Sequence, residues 1–177
     1  MNNNSDNHPE KKFASIMLFA MWLLLFALLS YMFNIILDKQ NNPNKNPYSE
    51  ISENGTREIK LQRNRQGHYI SNGQINNHNV IFMLDTGATD VSVPEHLANR
   101  LGLSRGPAVK YITANGDAVV YTTRLDSISI KDIKLLNIRA TINPNTDESI
   151  ILLGMSFLKH IEFTQNGEVL TLRQYSE

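Results

Sequence analysis

The feature that most constrains the fold is a run of five apolar residues, Val80 to Leu84, that ends directly in an aspartate. A continuous apolar run of this length predicts a β-strand that is buried on both faces. The strand delivers Asp85 to its end, where a carboxylate is costly unless it is hydrogen-bonded or chemically used. Gly87 lets the backbone turn sharply, and the Thr86 hydroxyl can brace that turn. Two interpretations stand side by side: an Asx-type turn that closes a strand, and a carboxylate that carries out chemistry.

A longer apolar run, residues 13–37, contains 25 residues without a charge. As a helix it would be about 37 Å long, which is enough to cross a hydrocarbon core of about 30 Å. A cleaved signal peptide is the alternative, but the run is longer than a usual signal core and no A-x-A site follows it. We therefore expect a single-pass helix in the inner (cytoplasmic) membrane. Lys11 and Lys12 precede the helix and Lys39 and Lys45 follow it, so the positive charges on its two sides nearly balance and do not set its orientation. The short N-terminal tail favours an orientation with the domain in the periplasm.

The rest of the chain divides by composition. Residues 1–12 form a polar tail, and residues 38–56 are rich in Asn and Pro, which predicts a flexible linker. From residue 57 to 177, short apolar runs alternate with turn signals, and Asn-Gly pairs stand at 54–55, 72–73, 115–116 and 166–167. The pair at 72–73 is interpreted as either a turn or a bulge. Many short strands with one or two short helices predict an all-β domain, a small closed β-barrel.

Composition excludes several kinds of chemistry. The chain has no cysteine, which rules out disulfides, thiol catalysis and Cys-zinc sites. Its formal net charge is zero and it has no basic cluster with interleaved aromatics, so no nucleic-acid partner is expected. The five histidines lack a metal-ligand spacing such as H-E-x-x-H, and neither a metal nor another cofactor is expected. Asp90 and Asp117 are expected to be solvated turn residues.

Three motifs resemble those of a known family when they are taken together. They are FMLDTGAT at 82–89, TANG at 113–116 and LLGMSFL at 152–158. In this order they resemble the retropepsin-like aspartic proteases, and most closely the bacterial membrane-anchored branch with a single protease domain. The resemblance covers about residues 67–172, which is nearly all of the chain beyond the expected linker. It implies that residues 57–177 form a small closed barrel of the acid-protease type.

The family's chemistry implies a role for each motif. Peptide hydrolysis by carboxylates needs two of them that share one proton and hold a water molecule. This chain has one Asp-Thr-Gly, so the resemblance implies a homodimer in which two copies of catalytic Asp85 meet at a two-fold axis and act on a peptide or protein substrate. The residues with implied supporting roles are the active-site loop Thr86, Gly87 and Ala88, the flap Thr113, Ala114, Asn115 and Gly116, and the second-motif support Leu152, Leu153 and Gly154.

Two positions depart from the pattern of the viral members. Met155 follows the glycine of the second motif, where those members commonly have an arginine that supports the dimer. Thr89 stands where they often have an acidic residue, and Asp90 comes one position later. Dimer support and contacts with the substrate backbone are therefore the parts of the resemblance that transfer least. The sequence also leaves open whether Tyr111 or Tyr121 faces the substrate.

Two other functions compete with the enzyme. A catalytically silent retropepsin-fold module for peptide binding or dimerisation would keep the fold without hydrolysing anything. A membrane-anchored scaffold would explain the anchor and the linker but not Asp85. The intact Asp-Thr-Gly favours the enzyme, because a binding module has no need for a desolvated carboxylate. The sequence therefore predicts a membrane-anchored aspartic endopeptidase.

Overall fold

The computed structural model of the chain describes residues 9–113 and 116–176. They fall into two compact units, one that ends at Lys39 and one that begins at Gln40. Helix α1 (Pro9–Asn41) makes up the first unit. Its stretch Phe13–Asn41 is long and apolar enough to span a membrane, and none of it is buried inside protein. A helix that is apolar all round needs apolar surroundings, so this stretch is a candidate membrane span.

The second unit is mostly β with two short helices, which confirms the architecture that the sequence predicts. Pro94 precedes the first of these helices, and Gly102, at φ +67°, follows its end, as its signals indicate. The elements are β1 (Tyr48–Ile51), β2 (Arg57–Gln62), β3 (Ile70–Ile75), β4 (His78–Leu84), β5 (Val91–Pro94), α2 (Glu95–Arg100), β6 (Ala108–Thr113), β7 (Gly116–Ile130), β8 (Ile133–Asn143), β9 (Ile151–Leu153), α3 (Met155–Leu158), β10 (Glu162–Asn166) and β11 (Val169–Gln174).

Seven strands form one sheet in the order β3-β4-β9-β5-β8-β7-β6. The pairs β4–β9 and β5–β8 are parallel, whereas β3–β4, β6–β7 and β7–β8 are antiparallel. The sheet returns on itself where β3 meets β7, at the pairs Gln74↔Ser129 and Ile75↔Ile128. The strands β5 and β9 also meet at a single residue pair. The predicted closed barrel is therefore not strictly closed, because these two seams contain few ladder pairs.

The strand β4 is buried on one face, so the expectation of burial on both faces is wrong. Val80 and Phe82 are buried in the core, whereas Ile81 between them is 38% exposed. Successive side chains of a strand point to opposite faces, and here the core lies against one of them. The sequence shows a continuous apolar run because apolar residues occupy the exposed positions of β4 as well as the buried ones.

The Asn-Gly pair at 72–73 lies inside β3 and is neither a turn nor a bulge. Gly73 pairs with Val80 of β4 in an uninterrupted register. A Cβ at Gly73 would lie 2.3 Å from the Ser129 carbonyl oxygen and 2.5 Å from the Phe82 ring. The glycine is needed because β7 approaches β3 closely here, a tertiary reason that a turn signal does not reveal.

The segment 38–56 differs from the flexible linker that its composition predicts. The strand β1 pairs with β2 in a second sheet of order β1-β2-β11-β10. Asn44 is 3% exposed, and its side-chain amide donates to the carbonyls of Gln62 and Ile70 at 2.9 and 2.7 Å. Its side-chain oxygen accepts from the Gln62 N–H at 2.6 Å. One asparagine thus joins β2 to β3 as a peptide group would, and the ordered unit begins well before residue 57.

Candidate active site

Asp85 stands where β4 ends, in a turn held by backbone hydrogen bonds. Its N–H donates to the carbonyl of Leu153 at 3.2 Å, which extends the β4–β9 ladder by one residue. The Gly87 N–H donates to the Asp85 carboxylate at 2.8 Å, and the Ala88 N–H donates to the Asp85 carbonyl at 3.2 Å. Asp85 is half-buried, and Thr86 and Gly87 are exposed. The turn therefore has Asx geometry, and it holds the carboxylate at the surface of the domain.

The second motif packs directly against this turn. The Met155 N–H donates to the Ala88 carbonyl at 2.8 Å. A Cβ on Gly154 would lie 2.4 Å from the Asp90 carbonyl oxygen and 2.6 Å from that of Ala88, both of them backbone atoms. Position 154 therefore accepts no side chain unless the loop 85–90 moves. The contact explains in physical terms why a buried strand that ends in glycine accompanies the Asp-Thr-Gly turn.

The Asp85 turn borders a cleft of about 410 Å³, which we call the main cleft. Of the residues that the sequence predicts for the site, Asp85, Gly87, Ala88 and Leu152 line it, whereas Leu153 is buried beneath it. Its wall contains both polar and apolar side chains, which is common in clefts that bind ligands. The residues that line the main cleft are Asp85, Gly87, Ala88, Thr89, Asp90, Ser92, Tyr111, Ala118, Val120, Thr141, Asn143 and Leu152.

A second cleft, of about 380 Å³, opens on the other side of the turn and contains Thr86. Asp85 borders both clefts. Phe163 and Gln165 of β10 contribute to its wall, and all five residues of β10 are exposed. The buried hydroxyl of Tyr69 also faces this region and has no hydrogen-bond partner among the described residues. The turn thus lies between the main cleft and an exposed edge strand of the smaller sheet.

The strands β6 and β7 form a hairpin at the position of the implied flap, with Thr113 opposite Gly116. Ala114 and Asn115, the other two residues assigned to the flap, lie outside the described residues. Tyr111 of β6 lines the main cleft. Tyr121 of β7 instead lies under the guanidinium of Arg105, 4.1 Å from the ring centroid. Tyr111, not Tyr121, is therefore the hairpin tyrosine on the cleft side.

Asp90 is the residue that sequence reasoning placed wrongly, because it is 5% exposed and not a solvated turn residue. The Arg139 Nε donates to its Oδ1 at 2.8 Å, and the Tyr111 hydroxyl donates to its Oδ2. Burial, followed by the hydrogen bond to Asp90, raises the pKa of Tyr111. The hydrogen bond to Asp90 also raises the pKa of Arg139. One signal was available: Asp90 directly precedes the buried strand β5, where an unpaired carboxylate is costly.

The described residues contain no group of three or more His, Cys, Asp and Glu side chains that could hold a metal ion. Asp117, on the β6–β7 hairpin, is exposed and pairs with Lys110 at 2.5 Å. It belongs to the hairpin surface and not to the main cleft.

Comparison with known proteins assigns the class to which this fold and site belong. The family model for the gag-polyprotein putative aspartyl protease matches residues 71–160, which is just over half of the chain. The matched segment contains the Asp85 turn, the β6–β7 hairpin and Gly154. The chain therefore belongs to the retropepsin-like aspartic protease family.

Individual relatives agree with this assignment. The chain is 34% identical over 116 residues to an uncharacterized protein in the cobV 5′ region of Sinorhizobium sp, which covers 63% of this chain and 49% of the relative. It is 32% identical over 122 residues to an uncharacterized protein of Rickettsia prowazekii, covering 67% of this chain and 52% of the relative. The crystal structure of a retropepsin-like aspartic protease from Rickettsia conorii matches with a TM-score of 0.58 and 32% identity, over 72% of this chain and 95% of that one. The chain spans about half the length of the two curated relatives.

Proposed function

We propose that the protein is a membrane-anchored aspartic endopeptidase that is active as a homodimer with one Asp85 from each chain. The observation that carries the proposal is the position of Asp85, held by Gly87 in a rigid turn at the border of the main cleft. A carboxylate that is fixed by backbone groups and remains half-buried is suited to bind a water molecule beside a peptide. The family to which the chain belongs supports the same chemistry.

The proposed reaction needs two carboxylates that share one proton, because two like charges a few ångströms apart cannot both stay ionised. The ionised Asp85 takes a proton from water, and the water oxygen attacks the peptide carbonyl carbon. The protonated Asp85 of the second copy gives its proton to the carbonyl oxygen, which forms a neutral gem-diol. The first Asp85 then gives the proton it took from water to the amide nitrogen, while the second Asp85 takes a hydroxyl proton from the gem-diol, so that the C–N bond breaks and a carboxylic acid and an amine are released.

The second cleft supports the homodimer. The chain has one Asp-Thr-Gly, so a second carboxylate of this kind must come from a second copy. Thr86 and Phe163 line the second cleft, which places the exposed edge strand β10 on the same side of the domain as Asp85. An unpaired edge strand can add a strand from another chain.

The candidate span Phe13–Asn41 supports membrane anchoring. We propose that it is a single-pass helix of the inner membrane and that the protease domain lies in the periplasm. Anchoring would confine the chains to two dimensions and raise their local concentration, which favours a dimer whose interface lacks the arginine found after the second glycine in viral members. The peptide or protein substrate would then be extracytoplasmic.

A catalytically silent retropepsin-fold module remains the second candidate function. It is favoured by one observation, that the Asp85 carboxylate already accepts a hydrogen bond in an ordinary Asx geometry. In that case the main cleft would bind a peptide without cleaving it.

The test compares the full-length chain in detergent with its Asp85→Asn variant on a peptide library. The Asp85→Asn change should lower cleavage by about a thousandfold or more, because it removes the ionisable group from both halves of the site. Asp126→Asn is the matched control, since Asp126 is exposed and begins an Asp-Ser pair that no glycine follows. The full chain is used because a fragment from residue 57 would lack β1 and Asn44.

Two outcomes would decide against parts of the proposal. Cleavage that survives in the Asp85→Asn protein would reject the catalytic assignment, and peptide binding without cleavage by the parent chain would favour the silent module.

Mixing parent and Asp85→Asn chains in equal amounts tests the homodimer. If pairs form at random, activity should fall to about a quarter of that of the unmixed parent at the same total concentration. A fall to one half would instead indicate that each chain works alone.

A further inference from the structure

Three elements meet at the buried carboxylate of Asp90. The residue itself belongs to the loop 85–90 that follows β4 and contains Asp85. Tyr111 comes from β6, and Arg139 comes from β8. Each oxygen of the carboxylate accepts one hydrogen bond, Oδ1 from Arg139 at 2.8 Å and Oδ2 from the Tyr111 hydroxyl. The proposed hydrolysis does not use Asp90, so this arrangement needs its own explanation.

The Tyr111 hydroxyl joins two walls of the main cleft. Tyr111 and Asp90 both line that cleft, and Asp85 lies on its border. The strand β6 is at the end of the seven-stranded sheet, where β7 is its neighbour. An end strand bonded along one side is more easily displaced than an inner strand. A side-chain bond from β6 to the loop therefore restrains the wall of the cleft that has the least support from the sheet.

We propose that Asp90, held in place by Arg139, is a positioning residue that sets the width of the main cleft by binding Tyr111 of β6. This inference rests on the proposed function, because it takes the main cleft to be where the peptide binds. Arg139 compensates the buried charge from its own partly exposed position, with 58% of its side chain accessible to solvent. The guanidinium of Arg139 thus lies beside the same carboxylate that accepts from the tyrosine.

The chemistry of the pair suits a permanent restraint. A hydrogen bond from a neutral hydroxyl to a carboxylate is charge-assisted and stronger than one between neutral groups. Burial and the hydrogen bond to Asp90 raise the pKa of Tyr111 above its usual value of 10.0, so the tyrosine keeps the donated proton at neutral pH. A cleft whose wall is already in place binds a peptide without first ordering that wall. Loss of the bond should therefore weaken substrate binding more than it slows the chemical step.

The test is Tyr111→Phe in the full-length chain, with Tyr121→Phe as the matched control on the same hairpin. Tyr121→Phe keeps the ring under Arg105 and lies away from the main cleft. We expect Tyr111→Phe to raise the KM for a cleaved peptide about tenfold, the factor that one hydrogen bond to a charged group is worth, with kcat changed by less than about twofold. Hydrogen–deuterium exchange of residues 108–113 should become faster in Tyr111→Phe and stay at the parent rate in Tyr121→Phe.

A second variant distinguishes the loss of this one hydrogen bond from a general loss of structure. Asp90→Asn weakens the same bond from the other side, so adding Tyr111→Phe to it should raise KM by much less than tenfold. The inference is overturned if Tyr111→Phe matches Tyr121→Phe in both KM and exchange, or if the effects of Tyr111→Phe and Asp90→Asn simply multiply. If the parent chain cleaves no peptide, the proposed function fails, and the exchange of residues 108–113 alone decides whether Asp90 restrains β6.

Discussion

Two aspartates five residues apart, Asp85 and Asp90, occupy opposite environments in the same loop. Asp85 is half-buried, and the Gly87 N–H donates to its carboxylate. Asp90 is almost fully buried, and its two oxygens are taken by an arginine and a tyrosine from other strands. A carboxylate that side chains from elsewhere fully engage stabilises structure, whereas one held by its own turn can still bind a ligand.

The comparison shows why local sequence identifies one of these residues and not the other. Asp85 is positioned by its neighbours in the chain, so the Asp-Thr-Gly pattern contains most of the information about it. Asp90 is positioned by Tyr111 and Arg139, which lie 21 and 49 residues further along the chain. Gly87 packs against the Asp85 carboxylate, and Gly154 packs against the backbone of Asp90. Alanine substitutions at these two glycines therefore test how differently the two environments respond to an added methyl group.

Gly154→Ala should have the largest effect on stability. Its Cβ would lie 2.4 Å from the Asp90 carbonyl oxygen, a backbone atom that cannot swing away. We expect a loss of about 3 kcal/mol in the free energy of unfolding, as for overpacking in a dense interior. Gly87→Ala is the matched control, because its Cβ would lie 3.1 Å from an Asp85 carboxylate oxygen, a side-chain atom that a small rotation can move away. Urea unfolding of the full-length chain in detergent measures both, and an equal loss in the two variants would contradict the comparison.

Asp90→Asn and Asp85→Asn should separate stability from activity. Asp90→Asn leaves Arg139 without its carboxylate and weakens two hydrogen bonds, so it should lower the free energy of unfolding by about 2 kcal/mol. Asp85→Asn removes a half-buried charge whose bonding partner is one backbone N–H, and should change stability by less than about 0.5 kcal/mol while abolishing cleavage. Urea unfolding of both variants measures the two changes in the free energy of unfolding. A larger loss of stability from Asp85→Asn would mean that Asp85, too, is mainly structural.

A third carboxylate, Glu58, is partly exposed, and loss of its bond to Arg173 should lower the free energy of unfolding by less than loss of the bonds to Asp90. It lies opposite Arg173 across β2 and β11, has a side chain 21% exposed, and accepts from the Arg173 Nε at 2.6 Å. The hydrogen bond from Arg173, opposed by burial, lowers the pKa of Glu58 below its usual value of 4.5. Because the folded pKa is the lower one, the pair stabilises the fold above about pH 4.5, and the contribution is lost as pH falls through the folded pKa.

Arg173→Gln in an Asp85→Asn background, which removes the proposed activity, measures this contribution together with that of the exposed Glu162, which Arg173 contacts at 3.1 Å. We expect a loss of about 1 kcal/mol at pH 7, typical of a partly exposed ion pair, and a smaller loss at a pH below the folded pKa of Glu58, where Glu58 is protonated in both proteins. A loss that is the same at both pH values would show that Arg173 acts through packing and not through its charge.

Much of the architecture could be predicted from local patterns. The apolar runs, the Asn-Gly turns at 54–55 and 166–167, and the punctuation of α2 by Pro94 and Gly102 each act over a few residues. The family followed from three short motifs in order, because their spacing reflects elements that meet in space. Local patterns failed where the role of a residue depends on a contact with a distant part of the chain. Gly73 was interpreted as a turn or a bulge although a passing strand requires it, and Asn44 was assigned to a linker although it joins two strands.

By itself the sequence determined that this chain has an apolar segment long enough to span a membrane, a mostly-β domain and an Asp-Thr-Gly turn at the end of an apolar strand. Tertiary structure alone decided that β4 is buried on one face, that Gly154 must lack a side chain, and that Asp90 is held between Tyr111 and Arg139. The reason is the range of the interactions. Turns and periodicity depend on neighbouring residues, whereas the environment of a buried charge depends on strands that only folding brings together.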